Sequence, residues 1–175
     1  MWPTERRIMR AKKFLTKSLI KPGSLWIEFG AGYGTYILVL QEYIKDGFVI
    51  ALELDPRRLK VLIELVETQK LFNVLVLRGD FHHPPLKLNS CDGVLMANAL
   101  HFSPTPQKLI VRAHRILRKG GRLVIVEYSV SSPLPWIPYP VSKQNLFNLL
   151  ETEAFRNIQL LTEDHRTYSV VACRL

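Results

Sequence analysis

The chain has 175 residues, 47% of them apolar and 22% charged, with a formal net charge of +9. The length suits one domain that buries roughly 70% of its unfolded surface, and the composition is that of an ordinary globular protein. No apolar run approaches the roughly 20 residues of a membrane helix, Met1–Arg7 lacks the apolar core of a secretion signal, and Cys91 and Cys173 sit in strand-like runs without metal-ligand spacing, so a cytoplasmic protein with reduced, buried thiols is expected.

The charge is uneven. Met1 to Lys21 holds seven Lys/Arg against one Glu, so most of the excess lies in the first element. Residues 4–20 read as an amphipathic helix with Ile8, Ala11, Leu15 and Leu19 on one side and Arg6, Arg10, Lys13, Lys17 and Lys21 on the other. The basic side suits solvent, or an acidic partner such as an anionic surface, a phosphate-bearing substrate or nucleic acid. Pro22-Gly23 ends the helix.

Ser24 to Phe29 reads as a buried strand, and Thr35 to Ile44 as a helix with Ile37, Leu40 and Ile44 inward. Between them Gly30, Gly32 and Gly34 alternate, with Glu28 two residues ahead of the first. Strand, glycine turn and helix bring bare backbone against a nucleotide-type ligand. The spacing differs from the G-x-G-x-x-G turn that admits a pyrophosphate.

Phe48 to Leu54 is a second strand, followed by Asp55 as N-cap and Pro56 at the first helical position. Glu53 stands at the strand's C-terminal end, nineteen residues past Gly34, where two carboxylate oxygens can take both ribose hydroxyls. Asn73 to Leu77 is a third strand, running into Arg78-Gly79-Asp80-Phe81; His82-His83-Pro84-Pro85 then reads as a polar loop, with no third metal ligand at sensible spacing. Cys91 to Ala97 is the fourth strand and Asn98 to Phe102 its exit. A helix from Pro104-Thr105-Pro106, with Leu109, Ala113, Ile116 and Leu117 inward, is capped by Lys119-Gly120-Gly121 before a fifth strand, Leu123 to Glu127.

Ser129 to Pro140 contains four prolines with Trp136 and Tyr139, a stiff aromatic loop that suits an acceptor pocket or a plain connector. Ser142 starts a last helix with Leu146, Leu149, Leu150 and Ala154 inward, and Ile158–Leu161 and Thr167–Cys173 close the chain as strands. The alternation predicts a mostly parallel, doubly covered α/β sheet in a single domain over residues 1–175, with an antiparallel strand in the final pair.

The E-x-G-x-G-x-G pattern of Glu28 to Gly34 resembles the first motif of class I S-adenosylmethionine-dependent methyltransferases. Glu53, Asp80-Phe81 and the K-G-G strand fall in that family's order. The resemblance implies a Rossmann-like, doubly wound seven-stranded sheet of order 3-2-1-4-5-7-6 with strand 7 antiparallel. It implies S-adenosylmethionine as cofactor and S-adenosylhomocysteine as product. It also implies that Glu28 organises the methionine end, that Gly30, Gly32 and Gly34 pass the ribose and sulfonium, and that Asp80 reads the adenine on which Phe81 stacks. Leu54 and Asn98 complete the cofactor set. Beside the methyl group, His101 is the candidate catalytic base, with Tyr128, His165 and Tyr168 as lesser candidates, and Trp136 and Tyr139 line the acceptor.

The acceptor is narrowed by absent patterns. Asn98-Ala99-Leu100-His101 is not the N-P-P-[YF] of base amino methylation, and no Lys-Asp-Lys-Glu set of RNA ribose methylation is present. Cysteine use departs from cytosine C5 and arsenite enzymes, and Asn98–Lys108 lacks the glutamate pair of protein-arginine enzymes. What remains is similar to the small-molecule group around ubiquinone and menaquinone methyltransferases. The alternative is a cofactor-binding module, or RNA-directed enzyme, docking nucleic acid through the basic helix.

Overall fold

The structure, a computed structural model, describes residues 2–175. Its strands are β1 (Leu25–Phe29), β2 (Phe48–Glu53), β3 (Val74–Arg78), β4 (Cys91–Ala97), β5 (Leu117–Tyr128), β6 (Phe155–Glu163) and β7 (Thr167–Arg174). Its helices are α1 (Glu5–Phe14), α2 (Thr35–Ile44), α3 (Pro56–Thr68), α4 (Pro106–Ile116) and α5 (Lys143–Thr152). The strands form one sheet in the order β3-β2-β1-β4-β5-β7-β6. β1 to β5 run parallel, and β7 is antiparallel to both its neighbours, as the methyltransferase resemblance implies.

β1, β2 and β4 are near-continuous apolar runs because helices cover both of their faces. Against one face, Leu109, Ile110, Leu146 and Leu150 pack on Ile27, Phe29, Leu52 and Met96. Against the other, Phe14, Ile37, Leu40 and Leu62 pack on Trp26, Val49, Ala51 and Leu95. Helix starts follow side-chain chemistry: Thr4 Oγ1, Asp55 Oδ1 and Ser142 Oγ accept from the amides of Arg7, Arg57 and Asn145.

Three local expectations need correction. The first helix stops at Phe14, because Leu15 and Thr16 are extended, and a short 3₁₀ turn spans Lys17–Leu19. Leu15 is thereby fully buried and the chain is turned toward β1. Arg10 does not simply face solvent: it donates to Thr167 Oγ1 (2.9 Å) and pairs with Asp164 (3.2 Å).

Lys119-Gly120-Gly121 is not a helix cap. Leu117 already pairs with Cys91, and the next rung joins Arg122 to Gly93, so Arg118–Gly121 bulge out opposite Asp92. Asp92 holds the bulge by accepting from Arg118 (3.0 Å) and from the Leu25 amide (2.8 Å). Third, Ala154 is exposed with φ +62° in the turn after α5, and β6 begins at the buried Phe155, earlier than the apolar pattern indicates.

Because β1 to β5 are parallel, their C-terminal ends meet along one edge, and that edge gathers Glu28, Glu53, Asp80, Asn98 and Glu127. The packing beneath it is tight: a Cβ on Gly93 would lie 2.1 Å from the ring of fully buried Trp26. Gly93→Ala should therefore lower stability by about 1–3 kcal/mol, the usual cost of overpacking, read as a reduced urea midpoint.

Candidate active site

The glycine turn does three different things. Gly30 (φ +71°) is covered by protein, since a Cβ there would sit 3.3 Å from Ala99 Cβ and 3.6 Å from the Phe81 ring. Gly34 (φ +83°) is the N-cap of α2, and its Cβ would meet Leu65 and Leu62 at 2.7 and 2.8 Å. Only at Gly32 (φ +58°) does the added carbon point into open space, with nothing nearer than a backbone oxygen at 3.9 Å. The sequence reading treats the three alike as clearance for a ligand. The structure leaves Gly32 for that role and assigns the others to packing.

Glu53, buried at the end of β2, binds this turn. Its Oε2 accepts from the Gly32 amide (2.7 Å), and its Oε1 from the amides of Leu54 and Asp55 (2.9 Å each). Glu28, at the end of β1, is only 2% exposed, and its Oε2 has no partner. Burial, and secondarily the Glu53 charge, push its carboxyl well above the ordinary range.

Asp80 follows β3, whose last residue pairs with Glu53. It is half-exposed, and its Oδ1 accepts from the His82 amide (2.8 Å). Phe81 stacks near Phe29, 6.5 Å between ring centres, and Leu54 is exposed beside it on the chain. The three carboxylates thus stand at the ends of three adjacent strands.

Asn98 leaves β4 with φ +52° and a buried, unpartnered Oδ1. Three residues on, His101 is 1% exposed and its Nδ1 lies 2.8 Å from Glu127 Oε2; Glu127 Oε1 accepts the His101 amide (3.2 Å). The His101 ring is flanked by Phe102 and Tyr128, at 4.3 and 5.5 Å between centres. Tyr36, from the first turn of α2, faces the same space. Burial and the charge of Glu28 push its hydroxyl up, with Arg10 opposing and Tyr128 and Glu127 adding to the shift. Tyr128 is shifted up by burial and Glu127, opposed by Arg10 and Arg7.

Trp136 and Tyr139 stand on the rim, not in an enclosed pocket, at 64% and 46% exposure. Their loop is pinned by the Tyr139 amide, which donates to the His101 carbonyl (3.0 Å), and by the Tyr168 hydroxyl, which donates to the Val141 carbonyl (2.6 Å). Tyr168 is therefore structural. His165 is exposed in the β6–β7 turn, away from the buried His101–Glu127 pair. Sequence reading passes over Glu127 and Tyr36 as site residues. The signals for them are a lone acid closing the apolar run Leu123–Val126, and an aromatic two residues past the glycine turn.

A family profile described as "Methyltransferase domain" matches residues 27–125, more than half of the chain. The chain belongs to this family. The methyltransferase domain is 29% identical over 115 residues to an arsenite methyltransferase of Halobacterium salinarum, covering 65% of the chain and 29% of that protein. It is 27% identical over 120 residues to the demethylmenaquinone methyltransferase of Lactobacillus johnsonii, covering 67% of the chain and 49% of that protein. The chain spans less than half the length of these curated relatives. Its fold matches a SAM-dependent methyltransferase from Aquifex aeolicus at TM-score 0.80 and 20% identity, over 99% of the chain and 100% of that structure.

S-adenosylmethionine is the cofactor of this family. The residues present fit it: two orphaned buried oxygens, Glu28 Oε2 and Asn98 Oδ1, lie at the ends of adjacent strands, and Gly32 leaves bare backbone open beside them. No group of three or more His, Cys, Asp or Glu side chains suits a metal among the described residues, and no helix there is long and apolar enough to cross a membrane.

Two substitutions test this fit. Gly32→Val should abolish S-adenosylmethionine binding in calorimetry, because the branched side chain fills the open space and disfavours φ +58°. Glu28→Gln should move affinity and stability in opposite directions. Folded Glu28 keeps its proton above the pH at which the unfolded chain releases it, so the parent protein loses stability as pH rises from the ordinary carboxylate value through the raised one. The amide removes that slope and should raise the thermal midpoint of the ligand-free protein above pH 6, while cofactor binding weakens roughly tenfold or more for a lost charged hydrogen bond.

Proposed function

We propose that the protein transfers the methyl group of S-adenosylmethionine to a small-molecule acceptor held between the Asn98–Phe102 exit and the Trp136–Tyr139 loop. The observation that carries this reading is the buried His101–Glu127 pair, which abuts the unpartnered polar atoms of the glycine crevice. In this proposal Glu28, Gly32, Glu53, Leu54, Asp80, Phe81 and Asn98 surround the cofactor, with Gly30 and Gly34 shaping the turn beneath it.

When bound, the cofactor supplies a methyl group already activated on a sulfonium, so the protein's task is alignment and exclusion of water. Glu127 accepts the Nδ1–H of His101, which leaves Nε2 as the free acceptor for a proton. The same carboxylate holds the His101 amide, so ring and backbone are positioned together. An anion at one ring nitrogen also stabilises the imidazolium formed when the other takes the acceptor's proton. Tyr36 and Tyr128 close the walls without adding charge.

Small-molecule acceptors are supported by the activities of the named relatives, arsenite and demethylmenaquinone methylation. Thiol-based binding of a metalloid has no support here, since Cys91 and Cys173 lie at the opposite edge of the sheet. The nucleic-acid alternative rests on the basic face of α1, and there Arg10 and Lys12 are already paired with Asp164 and Glu42.

A panel of small acceptors and RNA incubated with methyl-labelled S-adenosylmethionine tests the reading. Label is expected in a small molecule, and label confined to RNA would overturn it. With an acceptor in hand, His101→Ala should cut turnover by roughly 10²–10⁴-fold and Glu127→Gln by about 10–100-fold, with cofactor affinity spared in both. Unchanged turnover would return the pair to a packing role.

A further inference from the structure

We propose that the edge of the sheet carrying this site docks on an anionic membrane surface, so that the acceptor is a lipid-soluble molecule presented from the bilayer. This rests on the methyltransfer reading for the acceptor, but the docking itself stands on the surface alone.

Large apolar side chains are concentrated where the parallel strands end. Leu54 after β2 is 54% exposed, Phe102 after β4 43%, and Trp136 and Tyr139 after β5 64% and 46%. A cluster of this kind around a functional mouth marks an interaction surface, and Trp and Tyr are the residues that settle at the headgroup level of a bilayer.

The aromatic loop is held outward by its own bonding. Leu134 and Ile137 exchange amide–carbonyl bonds of 3.0 and 2.9 Å, which places Pro135-Trp136 at the tip of a tight turn. Ile137 is buried beneath it, and the flanking residues are pinned to His101 and Tyr168. Trp136 is thus presented on a stiff support, with little ordering left to lose on binding.

Charge at this edge complements an anionic surface. Arg10 of α1 bonds to Thr167, which pairs across the ladder with Tyr128 at the C-terminal end of β5. The start of α1, with exposed Arg6 and Arg7, therefore lies at the mouth, as does exposed Arg166 in the β6–β7 turn. These three side chains make no ion pair among the described residues. The neighbouring acids are engaged: Asp164 by Arg10, Glu163 by Lys143, and Asp55 by the amides that start α3. The free charge at the rim is positive, and a basic rim around apolar tips is the pattern of interfacial attachment.

Co-sedimentation of the full chain with vesicles tests the docking. The chain is expected on vesicles of phosphatidylcholine mixed with phosphatidylglycerol, less on phosphatidylcholine alone, and less again as salt rises. Arg7→Gln and Arg166→Gln should each weaken partitioning about fivefold, the equivalent of ~1 kcal/mol per cation near an anionic surface. Trp136→Ser should weaken it at least as much. Lys119→Gln, the same charge change at the opposite edge, should leave it unaltered.

Absence from anionic vesicles at low salt overturns the proposal. So does retention that Lys119→Gln reduces as much as Arg7→Gln while Trp136→Ser leaves it intact, which would be unoriented attraction of a basic protein. Retention on single-stranded RNA but not on vesicles overturns it in favour of a nucleic-acid partner. Calorimetry with S-adenosylmethionine on the same preparation separates the two readings: cofactor binding without vesicle retention sinks the docking alone, and vesicle retention without cofactor binding supports the docking and sinks the methyltransfer reading.

Discussion

A carboxylate at the end of one strand holds the backbone turn at the end of the next. Glu53 accepts amides from Gly32, Leu54 and Asp55, and so joins the glycine turn after β1 to the exit of β2. Turns that leave parallel strands expose unpaired amides, and burying those amides without acceptors would cost about 1–3 kcal/mol each. One side chain meets three of them. The crevice beside Gly32 stays open because the walls around it are tied by this carboxylate and not by a side chain filling the space.

The rest of the edge is a study in incompletely satisfied polarity. Glu28 and Asn98 each bury an oxygen with no partner, whereas His101 and Glu127 satisfy one another in an equally buried place. Orphaned groups of that kind are rare in folded proteins and mark where another molecule completes the bonding. The orphaned pair faces the cofactor crevice, and the satisfied pair stands one step along β4 and β5, toward the loop of Trp136. The arrangement separates a place for a cation from a place for a proton.

Stability and chemistry pull against each other at Glu28. Its carboxyl is desolvated and close to Glu53, and both effects favour the neutral form in the ligand-free protein. A positively charged ligand reverses that balance, so protonation and cofactor occupancy are coupled through one side chain. This kind of local cost persists in a fold whose two core layers are otherwise closely packed.

Read as a string, the chain determines much of this protein. Alternating apolar runs and capped helices specify the parallel α/β layout, and the acid–glycine pattern of Glu28 to Gly34 with Glu53 and Asp80 specifies which edge of the sheet matters. These signals are legible because they are local: a strand, a turn and a cap each need only near neighbours in sequence. The end of α1 at Phe14, the bulge at Arg118–Gly121 and the division of labour among the three glycines are not legible in that way. They depend on what lies across the sheet: buried Leu15, Asp92 opposite the bulge, and Phe81, Ala99, Leu62 and Leu65 over the turn. Glu127 and Tyr36 join the site for the same reason. A strand end and a helix start, 91 positions apart in the numbering, face His101 and Glu28 only after the sheet brings β1, β4 and β5 side by side.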